Sequence, residues 1–391
     1  MTLPPDLCYR IFDGKDTHLG IFMNVLEERL VLLEKEALNA WHKMVDGGET
    51  NGATSHAGIF NALGLVSEDK GICGRHKKPA NPEGITEAEV SLLNYFAFRN
   101  RLPLAGHLEL TQRCNLRCRH CYCVDHGKGD TLSTRAWCGI IDDLASNGVM
   151  FLVLTGGELF VREDIVDILE KLHESRFVLR INTNGTFIDE EMVHTLSRFG
   201  NIFRIHVSVY GGAAATHDHV TRAPGSFAKT VRALEMLKEA GFRLRINCSV
   251  MNANINDYQE VYTAIGKPLG IPVHFDPSIF PMDDDSGRNR GEQLSSKDLA
   301  RVRRYKQNID GAADKETQGK HQLCRAASAF FSVTSKGDIY PCLKMKRIYD
   351  QPLGNVIDEN FKTIWQSASV TTIRESLERT LTQCDLCDVI I

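Results

Sequence analysis

From about residue 105 onward one pattern repeats along the chain: a short apolar run, a turn, and a stretch whose apolar positions recur every three or four residues. Gly106 to Leu110, Met150 to Leu154, Phe177 to Asn182, Ile202 to Val209, Arg243 to Val250 and Pro272 to Asp276 read as strands, being brief, apolar and bounded by turn residues. The segments between them read as helices. Trp137, Ile140, Ile141 and Leu144 share the i, i+3, i+4, i+7 spacing, as do Ile165, Ile168, Leu169 and Leu172. Such alternation predicts an α/β fold around a parallel sheet, and six units fit a partial (β/α)6 barrel better than a closed eight-fold one. In sheets of this kind the chemistry sits in loops after the carboxyl ends of the strands.

The pattern changes on either side of this barrel. Before it, apolar runs at Cys8 to Phe12 and His18 to Val25 flank a turn at Asp13 to Asp16. Leu30 to Val45 then has helical spacing, with Leu33, Ala37, Ala40 and Met44 on one face. A loop at Gly47 to Gly52 and a short segment carrying Ile59, Leu63 and Leu65 follow. Residues 1–75 therefore read as a small N-terminal α+β domain, and 76–104 as a linker with a helix from Thr86 to Phe98. The barrel takes 105–282. Beyond it, the polar run Asp283 to Gly291 reads as a solvated acidic loop, a boundary or a lid. A helix near Lys297 to Gln307, a hairpin within Phe330 to Tyr340 and a helical stretch from Phe361 to Leu381 complete the segment 283–391.

Length and composition agree with several folded units. At ~150 residues per domain, 391 residues give two or three, and 42% apolar with 25% charged residues match soluble averages. A net charge of -4 lacks the basic excess that phosphate neutralisation requires, so nucleic acid is not an expected partner. No membrane-spanning run is evident, and the start lacks the basic flank and apolar core of a signal peptide, which predicts a cytoplasmic protein.

Twelve cysteines then change the picture, because in a reducing compartment they point to metal or catalysis before disulfides. Cys114, Cys118 and Cys121 directly follow the first barrel strand with the spacing C-x-x-x-C-x-x-C, and Cys123 stands beside them. Three such thiolates can hold three irons of a [4Fe-4S] cube and leave the fourth open to a small ligand, as a catalytic cluster needs. The alternative is a zinc knuckle, for which His120 or Cys123 would have to supply a fourth ligand. At the end of the second strand lies Thr155-Gly156-Gly157-Glu158. Its glycines let backbone approach a ligand closely and its carboxylate can accept from an ammonium, although alone it is a common tight turn. In the last third, Cys324 and Cys342 are separated by 17 residues, and Cys384-Asp385-Leu386-Cys387 begins after 41 more. Four thiols from a hairpin and a terminal turn suit an all-cysteine cluster, or zinc. Cys8, Cys73, Cys138 and Cys248 are scattered and read as small buried apolar residues.

Cys114, Cys118 and Cys121, with Gly156-Gly157-Glu158 one strand later, resemble the cluster and GGE motifs of the radical S-adenosylmethionine (SAM) superfamily, over about residues 100 to 391. The resemblance implies that the three cysteines ligate a [4Fe-4S] cluster, with His120 at a position usually aromatic, and that Gly156, Gly157 and Glu158 receive the SAM amino group. Ser208, in Ser208-Val209-Tyr210-Gly211, resembles the family's S-x-x-G stretch, and Arg222 falls near an arginine directed at the SAM carboxylate; the alternatives are a turn serine and a surface arginine. Asn182 closes the third strand as a further candidate, whereas His217 and Asp218 read as structural. The implied reaction is reductive cleavage of SAM to a 5'-deoxyadenosyl radical that abstracts a substrate hydrogen.

Cys324, Gly337 and Cys342, with Cys384 and Cys387, resemble the twitch and SPASM extensions of these enzymes, which implies an auxiliary [4Fe-4S] cluster on the four cysteines. A full SPASM region would continue with more cysteines, and the end at Ile391 favours the shorter twitch pattern with one such cluster. Residues 1–75 resemble, more weakly, the peptide-binding module of peptide-modifying family members. The expected partners are a precursor peptide, or else a small-molecule substrate, and an external electron donor such as flavodoxin or ferredoxin. A tetrapyrrole-tailoring enzyme or dehydrogenase, and a non-catalytic iron-sulfur carrier, stand as alternatives.

Overall fold

The computed structural model of the chain describes residues 3–4, 6–13, 18–27, 29–45, 60, 87–123, 132–284, 286–309, 324–347 and 351–380. Three antiparallel strands open it, β1 (Leu7–Asp13), β2 (His18–Asn24) and β3 (Arg29–Glu34), in the order β1-β2-β3, followed by helix α1 (Lys35–Val45). Leu30 to Glu34 is thus strand, where the spacing predicts helix. Pairing of Leu30 with Met23 and of Leu32 with Ile21 overrides the local periodicity. Leu33, Ala37 and Ala40 still share one apolar cluster, built on Phe22, Leu38 and Trp41.

The opposite face of this small sheet is buried as well. Cys8, Leu19, Ile21, Met23 and Val25 pack with Leu93 and Ala97 of helix α2 (Glu87–Arg99) and with Ala105, Phe151, Val153, Val178 and Phe203 of the main sheet. Arg10 fastens the join. Its guanidinium donates to the carbonyls of Val149 (2.6 Å), Ser175 (3.1 Å) and Arg176 (3.2 Å) and lies 4.5 Å from the Phe177 ring centre. Burial lowers its pKa to about 10. From the other side Arg176 donates to Leu7 O and Arg243 to Val25 O and Leu26 O.

The main sheet has nine strands in the order β12-β11-β10-β4-β5-β6-β7-β8-β9. Six of them, β4 (Ala105–Thr111), β5 (Phe151–Gly156), β6 (Val178–Thr183), β7 (Ile202–Ser208), β8 (Leu244–Ser249) and β9 (Val273–Asp276), run parallel, within a residue or two of the expected bounds. Helices α3 (Thr134–Ser146), α4 (Ile165–Glu174), α5 (Glu190–Leu196), α6 (Ala214–Thr221) and α7 (Ser226–Glu239) connect the first five, and a π-helical turn at Val261–Gly266 precedes β9. The predicted stripes Trp137, Ile140, Ile141, Leu144 and Ile165, Ile168, Leu169, Leu172 are the buried faces of α3 and α4. They meet Leu108, Leu110, Leu152, Leu154, Ile181 and Val207, the outward positions of the strands. Alternation leaves His107, Glu109, Arg180, Asn182, His206, Ser208, Arg245 and Asn247 on the inner face.

The C-terminal segment does not stand apart from this sheet. After α8 (Ser296–Ile309), strand β10 (Phe330–Val333) pairs parallel with β4, Ser332 opposite His107, and β11 (Asp338–Tyr340) turns back antiparallel beside it. Strand β12 (Gly354–Asn355) and helices α9 (Phe361–Trp365) and α10 (Ala368–Thr380) follow. The helix expected from Phe361 to Leu381 is therefore two. Ser367 separates them and accepts from Val370 N at 3.3 Å, capping the second.

Candidate functional site

The thiol loop leaves β4 at Thr111 and is pinned from three sides. The second-strand turn holds it first: Gly157 N donates to Thr111 O and Glu158 N to Arg113 O, both at 2.8 Å. Gly156 has φ 144°, and a Cβ at Gly157 would stand 2.1 Å from Arg113 O, so both positions require glycine to let the loop this close. The end of α6 holds it next, with Arg117 N donating to Thr221 O and Arg119 N to Val220 O. Residues 280–292 hold the third side. Asn289 Nδ2 donates to His120 O and Phe280 O, and Arg119 pairs with buried Glu292 at 2.6 Å.

This arrangement brings Cys114, Cys118 and Cys121 into electrostatic reach of one another, with Glu158 beside Cys114 and Arg222 beside Cys118. Burial, then the neighbouring charges of Glu158 and Cys121, pushes the Cys114 thiol up to about 11, despite a lowering bond from Leu116 N. Burial and the charges of Cys121 and Cys114 raise Cys118 well above the ordinary thiol range, with Arg222 opposing. Cys114 and Cys118, thiols that resist ionisation beside Cys121, fit a cationic iron centre, whose charge reverses the repulsion. Half-buried His120 lies edge-on to Tyr210, 4.8 Å between ring centres, and desolvation lowers its pKa. Arg222 caps α6 in the left-handed region at φ 56°. Ser208 lies beside the Tyr210 side chain and lowers its pKa against the larger effect of burial, and Asn182 Oδ1 is buried with no hydrogen-bond partner among the described residues.

The Glu158 carboxylate is only 1% exposed. It accepts from Thr183 Oγ1 at 2.8 Å, Asn184 N at 2.7 Å and Phe160 N at 3.3 Å, which ties the turn to the end of β6. Burial raises its pKa and these donors lower it. His217 and Asp218 do the structural work expected of them: His217 Nδ1 accepts from Tyr210 N, and Asp218 accepts from Gly225 N, Phe227 N and Ser226 Oγ. Cys324 and Cys342 share an apolar cluster with Met345 and Leu377. Both lie at the amino end of β10, and hence of β4, because Cys342 follows β11 as it runs back. Cys384, Cys387 and Cys73 lie outside the described residues. Cys8 and Cys248 are buried, as expected of apolar fillers, and Cys138 is partly exposed.

A buried group that the sequence pattern hides is Glu109. On the inner face of β4 its Oε1 accepts from Tyr122 O–H at 3.0 Å, and its Oε2 lies 3.6 Å from Lys346 Nζ, which also pairs with Asp283 at 3.2 Å. The acidic run is therefore not wholly solvated: half-buried Asp283 joins this network through Lys346, while Asp284 pairs with exposed Arg288 and Asp285 lies outside the described residues. The one signal in the sequence is a carboxylate between two leucines of an apolar strand.

Residues 108–265 match the radical SAM superfamily, and residues 324–388 match the SPASM iron-sulfur cluster-binding domain. The mycofactocin maturase MftC of Mycobacterium ulcerans is 30% identical over 73% of this chain and 80% of its own length. The AdoMet-dependent heme synthase of Methanosarcina barkeri is 27% identical over 72% of this chain and 87% of its own length. Among solved structures, Streptococcus suis SuiB bound to precursor peptide SuiA has a similar fold, with a TM-score of 0.63 over 95% of this chain and 90% of that one at 16% identity. The chain belongs to the radical SAM superfamily. It is an enzyme dependent on SAM and a [4Fe-4S] cluster, with a SPASM domain for auxiliary iron-sulfur binding. Among the described residues no helix is long and apolar enough to cross a membrane.

Proposed function

We propose that this enzyme modifies a ribosomally made precursor peptide by hydrogen abstraction, giving a crosslink, an epimer or another oxidised residue. The observation that carries the chemistry is the thiol triad held against the Gly156-Gly157-Glu158 turn. In this reading Cys114, Cys118 and Cys121 ligate the catalytic cluster, which together with SAM supplies a 5'-deoxyadenosyl radical. The glycine turn and Glu158 receive the SAM amino group, and Arg222 and Ser208 face its carboxylate. His120 and Asn182 line the same pocket. Cys324, Cys342, Cys384 and Cys387 hold one auxiliary [4Fe-4S] cluster, and a flavodoxin or ferredoxin delivers the initiating electron.

The peptide substrate is supported by the kinship with a maturase and by the shape of the N-terminal sheet. β3 pairs with β2 alone among the described residues, and Leu32 on it is 48% exposed, so its outer edge is available for strand addition by a leader peptide. A second reading, tailoring of a tetrapyrrole, rests on the heme synthase relative.

Anaerobically reconstituted enzyme is expected to bind about eight irons, four per cube, and to release 5'-deoxyadenosine from SAM under strong reductant. Replacing Cys114, Cys118 and Cys121 with Ala should remove one cluster and all of that release; full release by the triple variant refutes the assignment. Binding of a short peptide encoded beside this gene, lost on substitution within β3, separates the peptide reading from the tetrapyrrole one.

A further inference from the structure

Behind the thiol loop, the inner face of β6, β7 and β8 carries, beside the candidate SAM contact Asn182, a group of side chains to which the reaction gives no task. Register places Asn182 beside His206 and His206 beside Arg245, with Arg180 beside Arg204 one step toward the amino ends and Asn247 beside His274 one step toward the carboxyl ends. Paired positions of parallel strands point to the same face, so these side chains converge on one patch of the barrel interior.

His206 is the centre of it. The residue is 2% exposed, its Nδ1 meets Asn247 Nδ2 at 3.3 Å, and its Nε2 has no hydrogen-bond partner among the described residues. Burial, then the charges of Arg180, Arg245, Arg204 and His274, drives its pKa well below the ordinary imidazole value. The ring is therefore neutral. With Nδ1 accepting from the Asn247 amide, the proton sits on Nε2 as a buried donor without an acceptor, a costly state that a ligand relieves. The charge balance around it points the same way. Arg245 forms no ion pair with a carboxylate among the described residues, and Glu109, further along the same inner face, is already engaged by Lys346 and Tyr122. The Arg245 guanidinium beside this N–H donor favours an anion of carboxylate size, since guanidinium matches a carboxylate with two parallel hydrogen bonds.

We propose that this patch, Arg245 and Arg180 with His206 Nε2–H, is a subsite for a carboxylate of the substrate. The inference rests on the hydrogen-abstraction reading and narrows it: the molecule that enters the barrel carries an acid near the reacting carbon. A glutamate or aspartate side chain of a peptide and a propionate of a tetrapyrrole share this chemistry.

The test uses reconstituted, SAM-loaded enzyme and titration calorimetry under argon. One arm compares the blocked tripeptide Ala-Glu-Ala with Ala-Gln-Ala, and the other compares mesoporphyrin IX with its bis-amide. In at least one arm the acid is expected to bind about tenfold or more tighter than the amide, and the arm that responds identifies the source of the carboxylate. Arg245→Met should abolish that preference while leaving cluster content and uncoupled 5'-deoxyadenosine release unchanged. Asn247→Asp, nearly isosteric, should do the same by filling the subsite from within. No preference for either acid, or an undiminished preference in both variants, overturns the subsite even if SAM cleavage is intact. Absence of SAM cleavage at full cluster loading instead sinks the reading beneath it.

Discussion

His217 illustrates how a titratable side chain can be spent on architecture. Buried beside Tyr210, it accepts a backbone N–H and so must stay neutral, and burial lowers its pKa to about 4. The unfolded chain takes up a proton near pH 6.5 while the folded one does not until about pH 4, so folding stability drains away as pH falls through that window. The loss is at most about 3 kcal/mol. His217→Gln should flatten the pH dependence of the urea midpoint between those limits; an unchanged slope refutes the assignment. The same scale separates what the sequence makes legible from what it hides. Cys114, Cys118, Cys121 and Gly156-Gly157 are readable because a cluster and a close backbone approach demand fixed residue types at fixed spacing. Glu109 is not, because its partners Tyr122 and Lys346 come from segments far apart in the chain and no local period connects them.

Among the elements, β10 depends on a missing side chain in its neighbour. A Cβ at Gly106 of β4 would meet the Phe331 ring at 2.7 Å, and Phe331 packs tilted against Phe361 and edge-on to Trp365. Gly106→Val should cost about 1 to 3 kcal/mol through overpacking and should loosen β10 before β6 or β7. Hydrogen exchange that accelerates evenly across the sheet would contradict this. The barrel strands and the stripes of α3 and α4 were legible because their periodicity and their final environment agree. β3 was not, since Leu30 to Glu34 satisfies both periods and only its cross-strand partners in β2 decide between them. The attachment of β10 to β4 is equally invisible to a local pattern, being a pairing of segments from opposite ends of the fold.

At the scale of the whole molecule, the N-terminal sheet is part of the barrel's own core. Cys8, Ile21 and Met23 share a cluster with Phe151 and Val178, and Arg10 reaches across to three carbonyls. Arg10→Met, which keeps the stem but orphans those carbonyls, should destabilise the fold by about 3 kcal/mol. Limited proteolysis should then cut within β1 to β3 first; uniform cleavage would argue for a loosely tethered module.

The parallel pairing of β10 with β4 has a further consequence. It sets Cys324 and Cys342 at the foot of strand β4 and the Cys114 to Cys121 loop at its head. Seven strand residues at about 3.3 Å each set the foot of β4 roughly 20 Å from its head. A strand does not stretch, so loop insertions around the barrel leave that length untouched.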